Sequence, residues 1–286
     1  MAGFTGIKDV VDAQNNGQYR DCWFRKTPSQ STSAGFWFDL ATVPGNPKAK
    51  NWFDSAPLTA VQVKQSTDGG IYHGAAVSPQ QMYLRKSLVH ISVATPTPMK
   101  MILCDYLLYY PTIDDSETAQ QDMVNSVTLP RYTDGKGVQM MAVTLAARTG
   151  GQTFTVNYTN SNGVSGRTSQ TVTQSAQAIV GSLTGSIAAP FQAQAPFIGL
   201  QAGDSGVRSV ESVQMNGADT GLFAIVLVKP LAETQLTGLT QVETDYLMNK
   251  SEMPRIYDDA FLNYICLPNG ALSALVIHGN LKTVYN

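Results

Sequence analysis

The chain has 286 residues, 43% of them hydrophobic, enough to bury a sizeable core in one large domain or two small ones. Charged residues make up 14%, against about 25% in ordinary globular proteins, and the formal net charge is −2. With no basic cluster to neutralise phosphates and no apolar run of ~20 residues, the composition argues against direct nucleic-acid binding and against a membrane-spanning helix.

The opening segment MAGFTGIKDV lacks the basic start and long apolar core of a signal peptide, so the chain is expected to remain in the cytoplasm that makes it. Residues 1–57 are expected to form an irregular, aromatic-rich arm. Within FTGIKDVVDAQNNG, Phe4, Ile7, Val10 and Val11 fall near one helical face, and Gly17 ends that short helix. CWF at 22–24 and GFWFDL at 35–40 follow, separated by TPSQSTSAG. These aromatics need cover, from the chain's own sandwich or from a neighbouring subunit. On the second reading Trp23, Phe36, Trp37 and Phe38 are the candidate interface, with Trp37 as its main anchor, because tryptophan dominates interface hot spots.

Residues 58–286 read as strands and turns. LRKSLVHISVA (84–94), MKMILCDYLLYY (99–110), GVQMMAVTLAA (137–147) and GLFAIVLVKP (221–230) are apolar and rich in β-formers. In FTVNYTNSNGVSGRTSQTV (154–172), Phe154, Val156 and Tyr158 alternate with polar residues, and Asn160–Gly163 is turn chemistry, so a half-buried hairpin is expected. PNG at 268–270 lies between two apolar runs of 261–279 and predicts another hairpin. No helical pattern alternates with the strands. The fold class is therefore all-β: an antiparallel, jelly-roll-like β-sandwich over 58–286, divisible into two lobes near residue 150.

Candidate chemistry is sparse. GDSG at 203–206 resembles the nucleophile segment of trypsin-like proteases, but Val207 and Arg208 depart from the residues that family places next. His73, His90 and His278 sit in no matching segment; each is expected to be packed and hydrogen-bonded. Asp114, Asp115, Glu117 and Asp122 lack calcium-loop order and read as a solvated acidic loop. Cys22, Cys104 and Cys266 have no metal or disulfide spacing and read as small buried hydrophobes. No catalytic residue, cofactor or metal site is expected.

Seven segments are distinctive together: GFWFDLATVPGNP (35–47), GIYHG (70–74), CDYLLYYPTID (104–114), VTLPRYTDGKGVQ (127–139), FTVNYTNSNGVSGRTS (154–169), LQAGDSGVRSVESV (200–213) and PRIYDDAFLNYICLPNG (254–270). They resemble a family of tailed-bacteriophage virion structural proteins. That resemblance implies a non-enzymatic particle component assembled in the host cytoplasm and brings no residue-level roles. Within the virion, a head decoration or cement protein is expected. Its partners would be other virion proteins, the major capsid protein first, and further copies of itself, with no nucleic acid or membrane. The neutral polar composition fits such packing, since charges are expensive to desolvate. The alternatives are a tail, collar or baseplate protein, or a glycan-binding or glycan-cleaving sandwich in which the acidic pair and the Tyr-rich stretch 106–110 line a groove.

Overall fold

The computed structural model describes residues 3–176, 179–184 and 195–286. Its first half contains α1 (Ile7–Asn15), β1 (Tyr19–Lys26), β2 (Phe38–Asp39), β3 (Gly45–Asn46), β4 (Val61–Gln62), α2 (Gln65–Asp68), β5 (Met82–Ile91), β6 (Met99–Asp114), β7 (Gln121–Asp122) and β8 (Gln139–Ala146). The second half contains β9 (Thr153–Asn160), β10 (Arg167–Thr168), β11 (Val172–Thr173), β12 (Leu183–Thr184), β13 (Val207–Met215), β14 (Leu222–Leu236), β15 (Val242–Asp245), α3 (Tyr246–Lys250), β16 (Arg255–Ile256), β17 (Phe261–Leu267) and β18 (Ile277–Tyr285). Among the described residues, no helix is long and apolar enough to cross a membrane.

The strands form an all-β, antiparallel sandwich. A seven-stranded sheet in the order β12-β8-β14-β6-β17-β2, with β4 also on β6, is its spine. A six-stranded sheet runs β15-β5-β18-β1-β3 with β16 on β5, and a five-stranded sheet runs β10-β9-β13-β7 with β11 on β9.

The long strand β6 shows how one sheet serves both smaller ones. Met99, Met101 and Leu103 enter a core shared with Cys22, Phe24, Val89 and Leu281 of the six-stranded sheet. Leu108 and Tyr110 enter a second core with Phe154, Val156, Tyr158 and Val213 of the five-stranded sheet. Between them a bulge at Leu107 shifts the register against β14, so the odd residues before it and the even ones after it share a face. The opposite face takes Ile102, Cys104, Tyr106 and Tyr109 into a third core with Trp37, Trp52, Val226 and Phe261. A strand covered on both faces has no polar side, which is why β6 reads as a continuous apolar run.

Asp105 lies between the first two cores, fully buried. Here β6 loses one neighbour and gains another: β17 pairs with it as far as Tyr106, and β4 takes over at Leu108. Arg131 fills the handover. It donates to both Asp105 oxygens at 2.8 and 2.7 Å, and to the Tyr106 and Val63 carbonyls at 2.9 and 3.1 Å.

Several expectations change at this level. Residues 19–57 are not an arm beside the sheets: β1 pairs along its whole length with β18, and β2 pairs with β17. Phe38 enters the first core and its neighbour Trp37 the third, as alternation at the sheet edge requires. Trp37 and Phe38 are 5% and 0% exposed, so this chain itself covers them and they offer no free interface. The PNG segment closes no hairpin, because β17 belongs to the seven-stranded sheet and β18 to the six-stranded one. Each run follows the sheet that covers its apolar face, and Pro268–Gly270 crosses between layers. The hairpin around β9 does form, with Arg167 opposite Tyr158 and Val172 opposite Phe154.

On the inner side of β1, Lys26 is 1% exposed and donates from Nζ to the Val43 and Pro47 carbonyls at 3.0 and 2.9 Å. Burial lowers its pKa from 10.5 to about 8, with the Asp39 charge opposing that shift. Between these two values the unfolded chain binds more protons, so the Lys26 contribution to stability rises with pH across this window. Wild type should therefore gain on the order of 2 kcal/mol relative to Lys26→Met between pH 8 and pH 10 in paired urea titrations.

Candidate functional site

The motifs with apparent chemistry are occupied by internal bonds. Asp204 accepts from Tyr158 Oη, Asn160 Nδ2 and Arg167 Nε at 2.6, 2.7 and 3.0 Å. Ser205 Oγ meets Ser161 Oγ at 3.0 Å. The last glycine of GDSG has a steric reason, since a Cβ on Gly206 would lie 2.0 Å from the Gly135 carbonyl oxygen. The segment is thus a strand-side turn holding the 135–137 loop close.

The acidic loop is not wholly solvated. Asp115 is fully buried, and its carboxylate receives Arg148 Nε and Nη2 at 2.6 and 2.8 Å and Gln174 Nε2 at 2.8 Å. A glycan groove along 106–110 is ruled out as well. Tyr106, Tyr109 and Tyr110 are buried, with hydroxyls donating to Asp39, Asp54 and Asn125 at 2.6, 2.7 and 2.8 Å. Cys22, Cys104 and Cys266 are buried and free, as small hydrophobes would be.

The accessible chemistry collects on the outer face of the six-stranded sheet. In CWF, Cys22 and Phe24 point into the first core and Trp23 therefore points out, leaving its side chain 69% exposed. Register places three rows across β1, β18 and β5: Arg25 with His278 and His90, Trp23 with Asn280 and Leu88, and Asp21 with Lys282 and Lys86. Asp21, Trp23, Leu88, His90, His278, Asn280 and Lys282 of these rows, with Gln241, line a groove of about 310 Å³.

The two imidazoles stack, with centroids 5.0 Å apart and planes 10° from parallel. Burial first, and then the charges of His90 and Arg25, hold His278 below the ordinary imidazole range, so it is neutral at pH 7. Among the histidines, only His73 is deeply packed, its Nε2 3.0 Å from the Ala260 carbonyl. His90 and His278, expected to be packed inside apolar strands, instead face outward against each other.

Asn280 forms the floor of the groove and is 2% exposed. Its Nδ2 donates to Asp21 Oδ1 at 3.2 Å, and Lys282 Nζ lies 3.5 Å from the same oxygen. That bond fixes the amide orientation and leaves the buried Oδ1 with no hydrogen-bond donor. Lys86 Nζ meets Glu243 Oε1 at 2.7 Å across the neighbouring strand. Of the expected interface residues, the structure leaves Trp23 exposed and Phe36 half-buried.

A second exposed apolar feature is α1. Val10 and Ala13 pack on Val284 of β18, while Ile7 and Val11, one turn apart, are 60% and 47% exposed. Tyr19, at the start of β1, is 49% exposed.

Comparison with protein-family models, curated proteins and solved structures returns no match to this chain.

Proposed function

We propose that the protein is a non-enzymatic structural component of a tailed-phage virion, in the role of a head decoration or cement protein. The sequence resemblance supplies the class. The observation that carries the reading is α1, a helix whose inner face is buried on β18 and whose outer face presents Ile7 and Val11 to solvent. An apolar ridge on a weakly charged chain suits docking on a neighbouring subunit, because little charge must be desolvated. Repeated by particle symmetry, modest contacts of this kind add up through multivalency. The partners on this reading are other virion proteins, the major capsid protein first, and further copies of the chain. A tail, collar or baseplate position uses the same ridge.

The test is biochemical. The chain should be found in purified particles by gel and mass spectrometry. Ile7→Asp with Val11→Asp should leave the circular dichroism unchanged, since both side chains are exposed. The double variant should lower the copy number per particle about thirtyfold, as losing an interface anchor of about 2 kcal/mol implies. Absence of the wild-type chain from purified particles would overturn the virion reading. Normal incorporation of the double variant would remove α1 as the contact.

A further inference from the structure

We propose that the groove beside Trp23 is a binding site for an uncharged saccharide, with the indole as stacking platform and Asn280 as the hydrogen-bonding floor. The proposal concerns a different surface from the α1 ridge and stands without the virion reading.

Three features converge on this ligand chemistry. The first is shape. Trp23 stands out from a β-sheet at 69% exposure, with Asn280 between it and Leu88, a geometry that offers an exposed aromatic face with a polar floor beside it. An aromatic face carries partial negative charge and attracts polarised C–H groups, and the axial hydrogens of a pyranose ring present a patch of these. The groove, at about 310 Å³, lies at the small end of ligand sites.

The second is the orphan acceptor. Asn280 is nine-tenths buried or more, its amide is held in one orientation by Asp21, and its Oδ1 has no donor from the chain. A buried acceptor without a donor is costly to maintain; Oδ1 is sealed from solvent in the unliganded chain, so on this proposal a small shift of the groove floor lets a ligand hydroxyl supply the missing proton. Nearby, the Asp21 carboxylate accepts, Lys282 donates, and the His278 ring offers one of each. Hydroxyl groups both donate and accept, so a polyol satisfies this mixed rim better than a ligand of one polarity.

The third is charge balance. Asp21 lies with Lys282 and Glu243 with Lys86, so the middle of the face neutralises itself. His278 is uncharged at neutral pH and stacks on His90. A polyanion would find Asp21 in its way, and a cation would find Lys282. Arg25 is on this face too, two residues along β1 from Trp23 and opposite His278, so the rim carries a cation beside the platform.

Fluorescence gives a direct readout, because the other two tryptophans, Trp37 and Trp52, are 5% and 0% exposed and the red-edge emission belongs to Trp23. The probes are maltotetraose, cellotetraose and chitotetraose, each titrated to about 10 mM, with alginate as the charged control. At least one neutral probe should shift and quench the Trp23 emission and produce a saturable calorimetric signal. Trp23→Ala should weaken that binding tenfold or more with an unchanged melting temperature, and Trp23→Tyr should recover part of it. Asn280→Ala should weaken binding about tenfold where its melting temperature confirms folding, the loss expected for one hydrogen-bonding anchor. No response to any neutral probe would overturn the proposal, as would binding insensitive to Trp23→Ala or binding to alginate alone. Self-association of the wild type that Trp23→Ala abolishes, without saccharide binding, would assign the face to a second copy of the chain instead.

Discussion

Asp105→Ala lowers the free energy of unfolding by about 3–5 kcal/mol, because it strands the Arg131 guanidinium in the interior without its counter-charge. Arg131 is 6% exposed and its other contacts are two backbone carbonyls, which cannot neutralise it. The Phe261 amide also loses its acceptor, since it donates to Asp105 Oδ1 at 3.1 Å. Burial pushes the Asp105 carboxyl up, and the Arg131 charge pulls it back towards the ionised form. Removing both charges tests whether the pair or its absence matters. Asp105→Leu with Arg131→Met should recover part of the loss, because a buried ion pair is often replaceable by packed apolar groups. Urea denaturation of the three proteins decides it. A single-variant loss below about 1 kcal/mol would show that water reaches Arg131.

Trp52→Ala should cost about 3–5 kcal/mol. The indole is fully buried and stacks on Tyr106, with centroids 5.4 Å apart and planes 7° from parallel. It also touches the Tyr109 and Phe261 rings, at 5.4 and 6.3 Å. Its Nε1 donates at 2.8 Å to Asp39, a fully buried carboxylate that also accepts from Ala41 N and Tyr106 Oη at 2.9 and 2.6 Å. Trp52→Phe separates the two roles. It keeps most of the ring packing but withdraws one of three donors from Asp39, so a loss of about 1–3 kcal/mol is expected. Thermal and urea unfolding measure both variants. Equal losses for Phe and Ala would mean that the hydrogen bond, and not the ring volume, holds this core.

The fold class was legible because strand alternation is local. Phe154, Val156 and Tyr158 announce a buried face in the sequence, and all three are 0% exposed. The apolar run beginning at Met99 announces a strand covered on both sides, and β6 is one. Pairing is not local in this way. PNG carries the chemistry of a hairpin turn, yet its flanking runs join different sheets, because each strand's partners come from elsewhere in the chain. The same holds for charge: nothing near Asp115 in sequence reveals that Arg148 and Gln174 will enclose it. Aromatic crowding around Trp37 signalled a need for cover but not who provides it, and the chain's own third core does. In the groove, Trp23 stood out in the sequence only as one of several aromatics in need of cover; its outward direction follows from β1, where Cys22 and Phe24 point into the first core. Asn280 and the His90–His278 stack became visible only through register across β1, β18 and β5.

The pairing of β6 with β14 has a consequence for the order of events during folding. Leu103 lies opposite Ala232, and at the other end of the chain Tyr19 lies opposite Val284. Neither the spine nor the six-stranded sheet can close until strands from the far end of the polypeptide arrive. Closing such distant contacts is slow, on the order of milliseconds to seconds for β-rich topologies. During synthesis β6 would leave the ribosome with apolar side chains on both faces and no lasting partner, a state prone to clumping. A chain cut after β14 would still lack β17 and β18, the strands that hold one edge of β6 and the inner edge of β1. Because β18 sits between β1 and β5, the six-stranded sheet is complete only once that strand has docked.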